Sequence, residues 1–152
     1  LARGGEKDFG KEAIDCLVKA MEDYKDQLIL ILAGYKKEME WFLQSNPGLR
    51  SRFPIHINFP DYTINELYEI AELMLQKRQY RLSIEARSIL KHTLQQRVLL
   101  GHEHSGNARM VRNLIEKAIR LQAVRLVENN LVSRDDLILI TSEDIREASL
   151  AI

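Results

Sequence analysis

Cysteine is nearly absent from this chain: Cys16 is the one thiol in 152 residues. A lone thiol closes no internal disulfide and builds no Cys-rich zinc site, so neither kind of stapled scaffold is available. Proline is scarce at three residues, and aromatic side chains make up only 7%. No apolar run approaches the roughly 18 residues of a spanning helix, and no signal peptide opens the chain. The chain therefore reads as soluble and cytoplasmic, with no membrane partner. Net charge is missing as well, since 22 Lys+Arg stand against 22 Asp+Glu. A protein that wraps polyanions is normally basic, so that class recedes. What is plentiful is apolar side chain, 45% of the total beside 29% charged, the balance of a chain that buries a core.

The neutral total hides a pattern. Residues 1–75 carry 9 basic and 13 acidic side chains, residues 76–125 carry 11 and 3, and residues 126–152 carry 2 and 6. A basic centre between acidic flanks either faces phosphate or meets the acids of its own fold. The intramolecular reading is the simpler one.

The hydrophobic pattern divides the chain in two. Residues 1–10 are Gly-rich and polar, a loop. Ile14, Leu17, Val18 and Met21 have helical spacing, which predicts a helix over 11–25. Leu28 to Ala33 is an unbroken apolar run closed by Gly34, the pattern of a strand buried on both faces. A short helix over 36–44 is expected next, flanked by Tyr35 and carrying Trp41, both expected to pack at a lobe boundary. Asn46-Pro47-Gly48 breaks it. Ile55 to Phe59 alternates and reads as a second strand, stopped by Pro60. Beyond Pro60 the period is helical. Thr63 with Glu66 makes a capping box for a helix over 64–80, Ser83 caps another over 84–99, and Ser105 or Asn107 starts a third that runs to about Glu128. Asn129-Asn130 ends it. Leu137 to Ile140 is a short extended run, and Ser142 caps a last helix. The expected fold is thus α/β followed by all-α. Two doubly buried strands are too few for such a sheet, so neighbouring strands are expected upstream of Leu1.

Several motifs invite a chemical reading. Gly5 to Lys11 has the G-x4-G-K spacing of a phosphate loop, but Glu12 stands where the Ser or Thr that holds magnesium is needed, and Glu6 and Asp8 would repel phosphate. It reads as a loop leading into a helix. His102-Glu103-His104, with His92, lacks metal-site spacing, and no metal is expected. Cys16 reads as a small core residue. Arg50 and Arg52 flank Ser51 in a turn between a helix and a strand, and Arg109 and Arg112, three apart, share one face of a helix start. Arginine suits phosphate through its fixed charge and forked donors, and a helix start favours anions.

The ordered set of Leu30-Ile31-Leu32-Ala33-Gly34-Tyr35, Asn46 to Phe53, Phe59-Pro60-Asp61-Tyr62 and Ser105 to Asn113 resembles the AAA+ ATPases. Within them the chain is similar to the stage V sporulation protein K branch, which also holds the red-type Rubisco activases. The resemblance implies the C-terminal part of a P-loop AAA+ parallel-sheet subdomain over 1–61, with two strands and their helices, and a helical lid over 62–152. Arg52 then matches the arginine finger that reaches the γ-phosphate held by a neighbouring subunit, with Arg50 as the alternative. Arg109 matches the sensor 2 arginine, and Arg112 is its helical neighbour. Tyr35 occupies the sensor 1 region, where the family usually has Asn or Thr. The resemblance further implies a homo-oligomeric ring, a hexamer, in which the parent protein uses ATP and Mg2+ to remodel a protein partner. The Walker A and Walker B segments would lie upstream, so this chain by itself is expected to hold no nucleotide and to be inactive. The competing reading is a non-enzymatic helical module that binds nucleic acid or protein through the basic stretch 76–125.

Overall fold

The computed structural model describes residues 10–99, 107–129 and 133–150. The phosphate-loop look-alike over 5–9, His102 and His104, the proposed cap Ser105 and Asn130 lie outside the described residues. The chain divides into two units, 1–59 and 60–152.

The first unit packs three helices, α1 (Gly10–Asp23), α2 (Lys36–Gln44) and α3 (Pro47–Arg52). Ile14 of α1, Phe42 of α2 and Leu49 of α3 are buried together, with Leu17, Val18, Leu32, Met39, Leu43 and Phe53 packed around them. The helical spacing read from the sequence supplies these contacts. Cys16 is exposed instead of buried. It stands two residues, and so about 200°, around the helix from Ile14, on the side away from the core.

Asn46-Pro47-Gly48 ends one helix and starts another. Asn46 is extended, its Oδ1 accepts from the Gly48 N–H at 2.8 Å, and Pro47 takes the first turn. Asn at the cap and Pro just inside are a helix start as much as a helix stop. Arg50 and Arg52 therefore sit on α3 and not in a turn.

The segments expected as strands, 28–33 and 55–59, join no ladder among the described residues. Leu30 and Leu32 are half-buried while Ile29 and Ile31 are 88% and 86% exposed, so a period of two survives in the packing. Ile55, Ile57 and Phe59 are exposed as well. A strand exists only where a neighbour accepts and donates its backbone hydrogen bonds, and neither segment offers the other that partnership.

The second unit is helical: α4 (Ile64–Lys77), α5 (Ile84–Leu99), α6 (Asn107–Glu128) and α7 (Ser142–Leu150). Between them a two-stranded parallel sheet pairs β1 (Arg81–Leu82) with β2 (Leu139–Ile140), in the register Arg81 to Leu139 and Leu82 to Ile140. The extended run expected over 137–140 is split, with a 3-10 turn at Asp136–Ile138 before β2. Leu67, Ala71 and Leu75 of α4, Ala86, Leu90 and Leu94 of α5, and Leu114, Ile115 and Ala118 of α6 meet Ile140 of β2 and Ile145 and Ala148 of α7 in one core. The three-to-four residue spacing within each helix puts these side chains on one stripe.

Local chemistry sets the ends of the elements. Thr63 and Glu66 form the expected capping box, with the Thr63 N–H donating to Glu66 at 2.7 Å and the Glu66 N–H to Thr63 Oγ1 at 3.4 Å. Ser83 Oγ accepts from the Ala86 N–H at 3.1 Å. α4 stops at Lys77 instead of 80, because Gln79 turns into the left-handed region (φ 62). Tyr80 N–H then bonds the Leu75 carbonyl and Gln79 N–H that of Gln76, the Schellman pattern. Ser142, expected as the cap, is the first residue of α7 itself, and Thr141 before it donates from both its N–H and its hydroxyl to Asp144 Oδ2. Among the described residues no helix is long and apolar enough to cross a membrane.

Candidate functional site

Arg52 is held from two sides. Its Nη2 donates to Glu22 Oε2 of α1 at 3.1 Å, and its Nη1 to the Gly48 carbonyl at 3.2 Å. Gly48 makes room for this, since a Cβ there would stand 2.9 Å from Arg52 Nη1 and 3.1 Å from the capping oxygen of Asn46. Asn46 in turn donates to Asp15 of α1 at 2.9 Å, so the cap of α3 is tied to the same neighbouring helix. Both arginines lie in the last turn of α3, where positive charge is favoured. Arg50 is exposed and pairs with no described residue. Two residues apart on a helix, the two arginines point to different sides.

Tyr35 occupies the N-cap position of α2 with an extended backbone, and its carbonyl accepts from the Met39 N–H at 2.9 Å. Its role here is that of a helix start; its side chain is 60% exposed. Trp41 is exposed too.

Arg109 and Arg112 lie in the second unit, near the start of α6, exposed and on one face. Neither pairs with another described residue. α6 has no acidic residue in its first turn. Positive charge beside the positive end of a helix dipole is mildly unfavourable, and an anion there would relieve it. The structure thus joins Arg50 with Arg52 on one helix and Arg109 with Arg112 on another, each pair in its own unit.

Other basic residues of the 76–125 stretch meet acids of their own unit. Arg78 pairs with Glu116 at 3.2 Å, Arg81 with Asp135 at 2.6 Å, and Arg87 with Glu72 at 3.7 Å. Arg125 grips Asp144 with two bonds of 3.0 Å, and Asp144 is 2% exposed. Hydrogen bonding to that carboxylate holds the Arg125 guanidinium firmly protonated, its pKa above the ordinary arginine value. Beside it, buried Gln122 donates to the Asp136 and Leu137 carbonyls. Tyr68 is likewise structural. Burial, with a hydrogen bond to Glu72, pushes its hydroxyl up to about 12, and Lys91 lies 4.7 Å over its ring. His92 is exposed, and no cluster of three or more His, Cys, Asp or Glu among the described residues could hold a metal ion.

Sequence reasoning did not find Glu22, Asp15 or the Arg125–Asp144 pair. The Arg52–Glu22 contact spans 30 residues and the Arg125–Asp144 contact 19, and no periodicity connects such positions. For Asp144 a local signal existed: an acid three residues after Thr141 is a capping box.

Capped helices stacked on a two-residue parallel ribbon, with arginines exposed at the start of the longest helix, describe a helical lid. The AAA lid domain family model matches residues 63–150, and the chain belongs to that family. Among individual relatives it is similar to Stage V sporulation protein K of Bacillus subtilis (strain 168), 54% identical over 146 residues, which cover 95% of this chain and 45% of that protein. It is similar also to the Protein CfxQ homolog of Galdieria sulphuraria, 44% identical over 95% of this chain and 48% of that one. A third relative is the chloroplastic ribulose bisphosphate carboxylase/oxygenase activase of Cyanidioschyzon merolae (strain NIES-3377 / 10D), at 42% over 95% and 50%. The chain spans about half the length of the curated relatives it matches. The AAA+ resemblance read from the sequence is borne out, and within it that of the sporulation protein K branch.

Proposed function

We propose that this chain is the lid, together with the closing part of the nucleotide-binding subdomain, of an ATP-hydrolysing ring protein that remodels a protein partner. The observation that carries the reading is the similarity itself: 95% of the chain aligns with Stage V sporulation protein K, well beyond the lid at 63–150. In this reading residues 1–61 belong to the nucleotide-binding subdomain and 62–152 to the lid. The exposed apolar row of Ile29, Ile31, Ile55, Ile57 and Phe59 is then a surface that the rest of a parallel sheet and its helices would cover.

ATP with Mg2+ is the substrate of the longer protein. Water attacks the γ-phosphorus, the bond to the ADP oxygen breaks, and charge grows on the transferred group. Arg52 of one subunit reaches the nucleotide of the next and stabilises that charge; Arg50, which pairs with no described residue, is the alternative. Arg109, with Arg112 beside it, contacts nucleotide from the lid. Tyr35 marks the sensor 1 region but serves as a helix cap. The ring is a hexamer in the cytoplasm. Nucleic acid is not its partner, because Arg78, Arg81, Arg87 and Arg125 of the basic stretch are matched by acids of the same unit. The 152-residue chain alone does not turn over ATP.

The test compares ATP turnover by the full-length protein, by its Arg52→Ala and Arg109→Ala variants, and by residues 1–152 alone. The full-length protein should hydrolyse ATP, Arg52→Ala should lose roughly 10³-fold or more, and the short chain should be silent. A full-length protein that keeps its rate without Arg52 sinks the assignment, and tight nucleotide binding by the short chain returns attention to Gly5–Lys11.

A further inference from the structure

We propose that Glu22 is a positioning residue that keeps Arg52 in a resting seat, from which the arginine must be exchanged onto the neighbouring subunit's nucleotide. The inference rests on reading Arg52 as the arginine finger. Its own support is local. Arg52 is 29% exposed and Glu22 69%, and their atoms meet at 3.1 Å. The second donor of the same guanidinium is spent on the Gly48 carbonyl, in a space that exists because residue 48 has no Cβ. The seat is thus built by two elements and a glycine, whereas Arg50, on the same helix, is seated on no described residue.

Glu22 also stands where a carboxylate is otherwise unfavourable. It lies in the last turn of α1 with Asp23 next to it, and that turn has no basic residue. The negative end of the helix dipole opposes both acids. Arg52 supplies the compensating charge from across the unit, which gives the pair a reason to form before any nucleotide arrives.

The strength of the seat decides what it can do. An ion pair this exposed is weak, and breaking it changes a rate by no more than roughly fivefold. It is strong enough to hold an idle arginine in one place. It is too weak to compete with a γ-phosphate, whose several negative charges lie in a water-poor subunit interface where each attraction is larger. Because a finger contact strengthens mainly as charge develops in the transition state, the cost of leaving Glu22 falls on kcat and not on KM.

The experiment measures steady-state ATP turnover in the full-length protein for wild type, Glu22→Gln and Arg52→Ala, at low and high salt. Glu22→Gln should raise kcat roughly two- to fivefold with KM unchanged. The gap to wild type should close as salt rises, because salt already weakens an exposed pair. A merely structural role for Glu22 would shift the unfolding midpoint and leave that salt dependence alone. If Arg52→Ala is inactive while Glu22→Gln is unchanged or slower, the resting seat is overturned and the finger assignment stands. If Arg52→Ala keeps full turnover, the finger assignment fails and the seat fails with it.

Discussion

Gln79 is the one described residue other than glycine with a positive φ, at 62°. It closes α4 by the two bonds of a Schellman turn, from Gln79 to Gln76 and from Tyr80 to Leu75. An L-residue with a Cβ pays roughly 1–2 kcal/mol to stand in the left-handed region, and glycine gives part of that back as lost chain entropy. Gln79→Gly should therefore stabilise the second unit by about 0.5–1 kcal/mol, seen as a higher denaturant midpoint with an unchanged m-value. A lower midpoint would show that the Gln79 side chain makes a contact worth more than the strain. The position was not legible in the sequence, since glutamine is an ordinary helix former and the helical period runs on past it to Tyr80. Arg52 and Arg109 could be singled out because arginines beside turn and cap residues stand out locally. Glu22 could not, because a weak contact 30 residues away leaves no local trace.

At the scale of elements, caps control where helices begin, and the cap of α4 is acid-sensitive, as is the Ser133–Asp136 turn ahead of the 3-10 segment. Hydrogen bonds from the Thr63 backbone and side chain hold Glu66 below its ordinary pKa of 4.5, and those of Ser133 hold Asp136 below 3.8. For both groups the folded value is the lower one. The stability they add is present above the unfolded value and is lost as pH falls through the folded one. The midpoint of thermal unfolding should accordingly drop as pH falls from about 5 to about 3. Thr63→Ala should cost about 1 kcal/mol at neutral pH and make that acid slope shallower without abolishing it, because Glu66 loses the hydroxyl donor but keeps the backbone N–H of residue 63. An unaltered slope would place the acid sensitivity elsewhere. The caps Thr63 and Ser83 were legible because they obey a three-residue rule within one element. Asn46-Pro47-Gly48 was legible only as punctuation, since the same three residues end α2 and begin α3. The segments 28–33 and 55–59 show the limit of pattern reading: composition reports that a face is apolar, and only a neighbouring strand makes it a ladder.

Across the whole molecule the two units hold very different cores. Among the described residues the first buries Ile14, Phe42 and Leu49 together, while fourteen buried side chains, drawn from four helices and both strands, meet in the second. A unit that small in core cannot offset the conformational entropy of ordering its chain, whereas one sustained core of the second kind supports cooperative folding. The Arg125–Asp144 pair, whose carboxylate is buried, and the Gln122 bonds to the 3-10 turn add polar ties inside that unit. Residues 60–152 expressed by themselves should therefore be helical by circular dichroism and unfold in one cooperative transition. Their midpoint should match the cooperative transition of the full 152-residue chain. A midpoint lower by more than roughly 8 °C corresponds to more than about 1 kcal/mol for a domain this size. That result, or a broad non-cooperative melt, would mean that residues 1–59 contribute to the stability of the lid and that the two units fold as one.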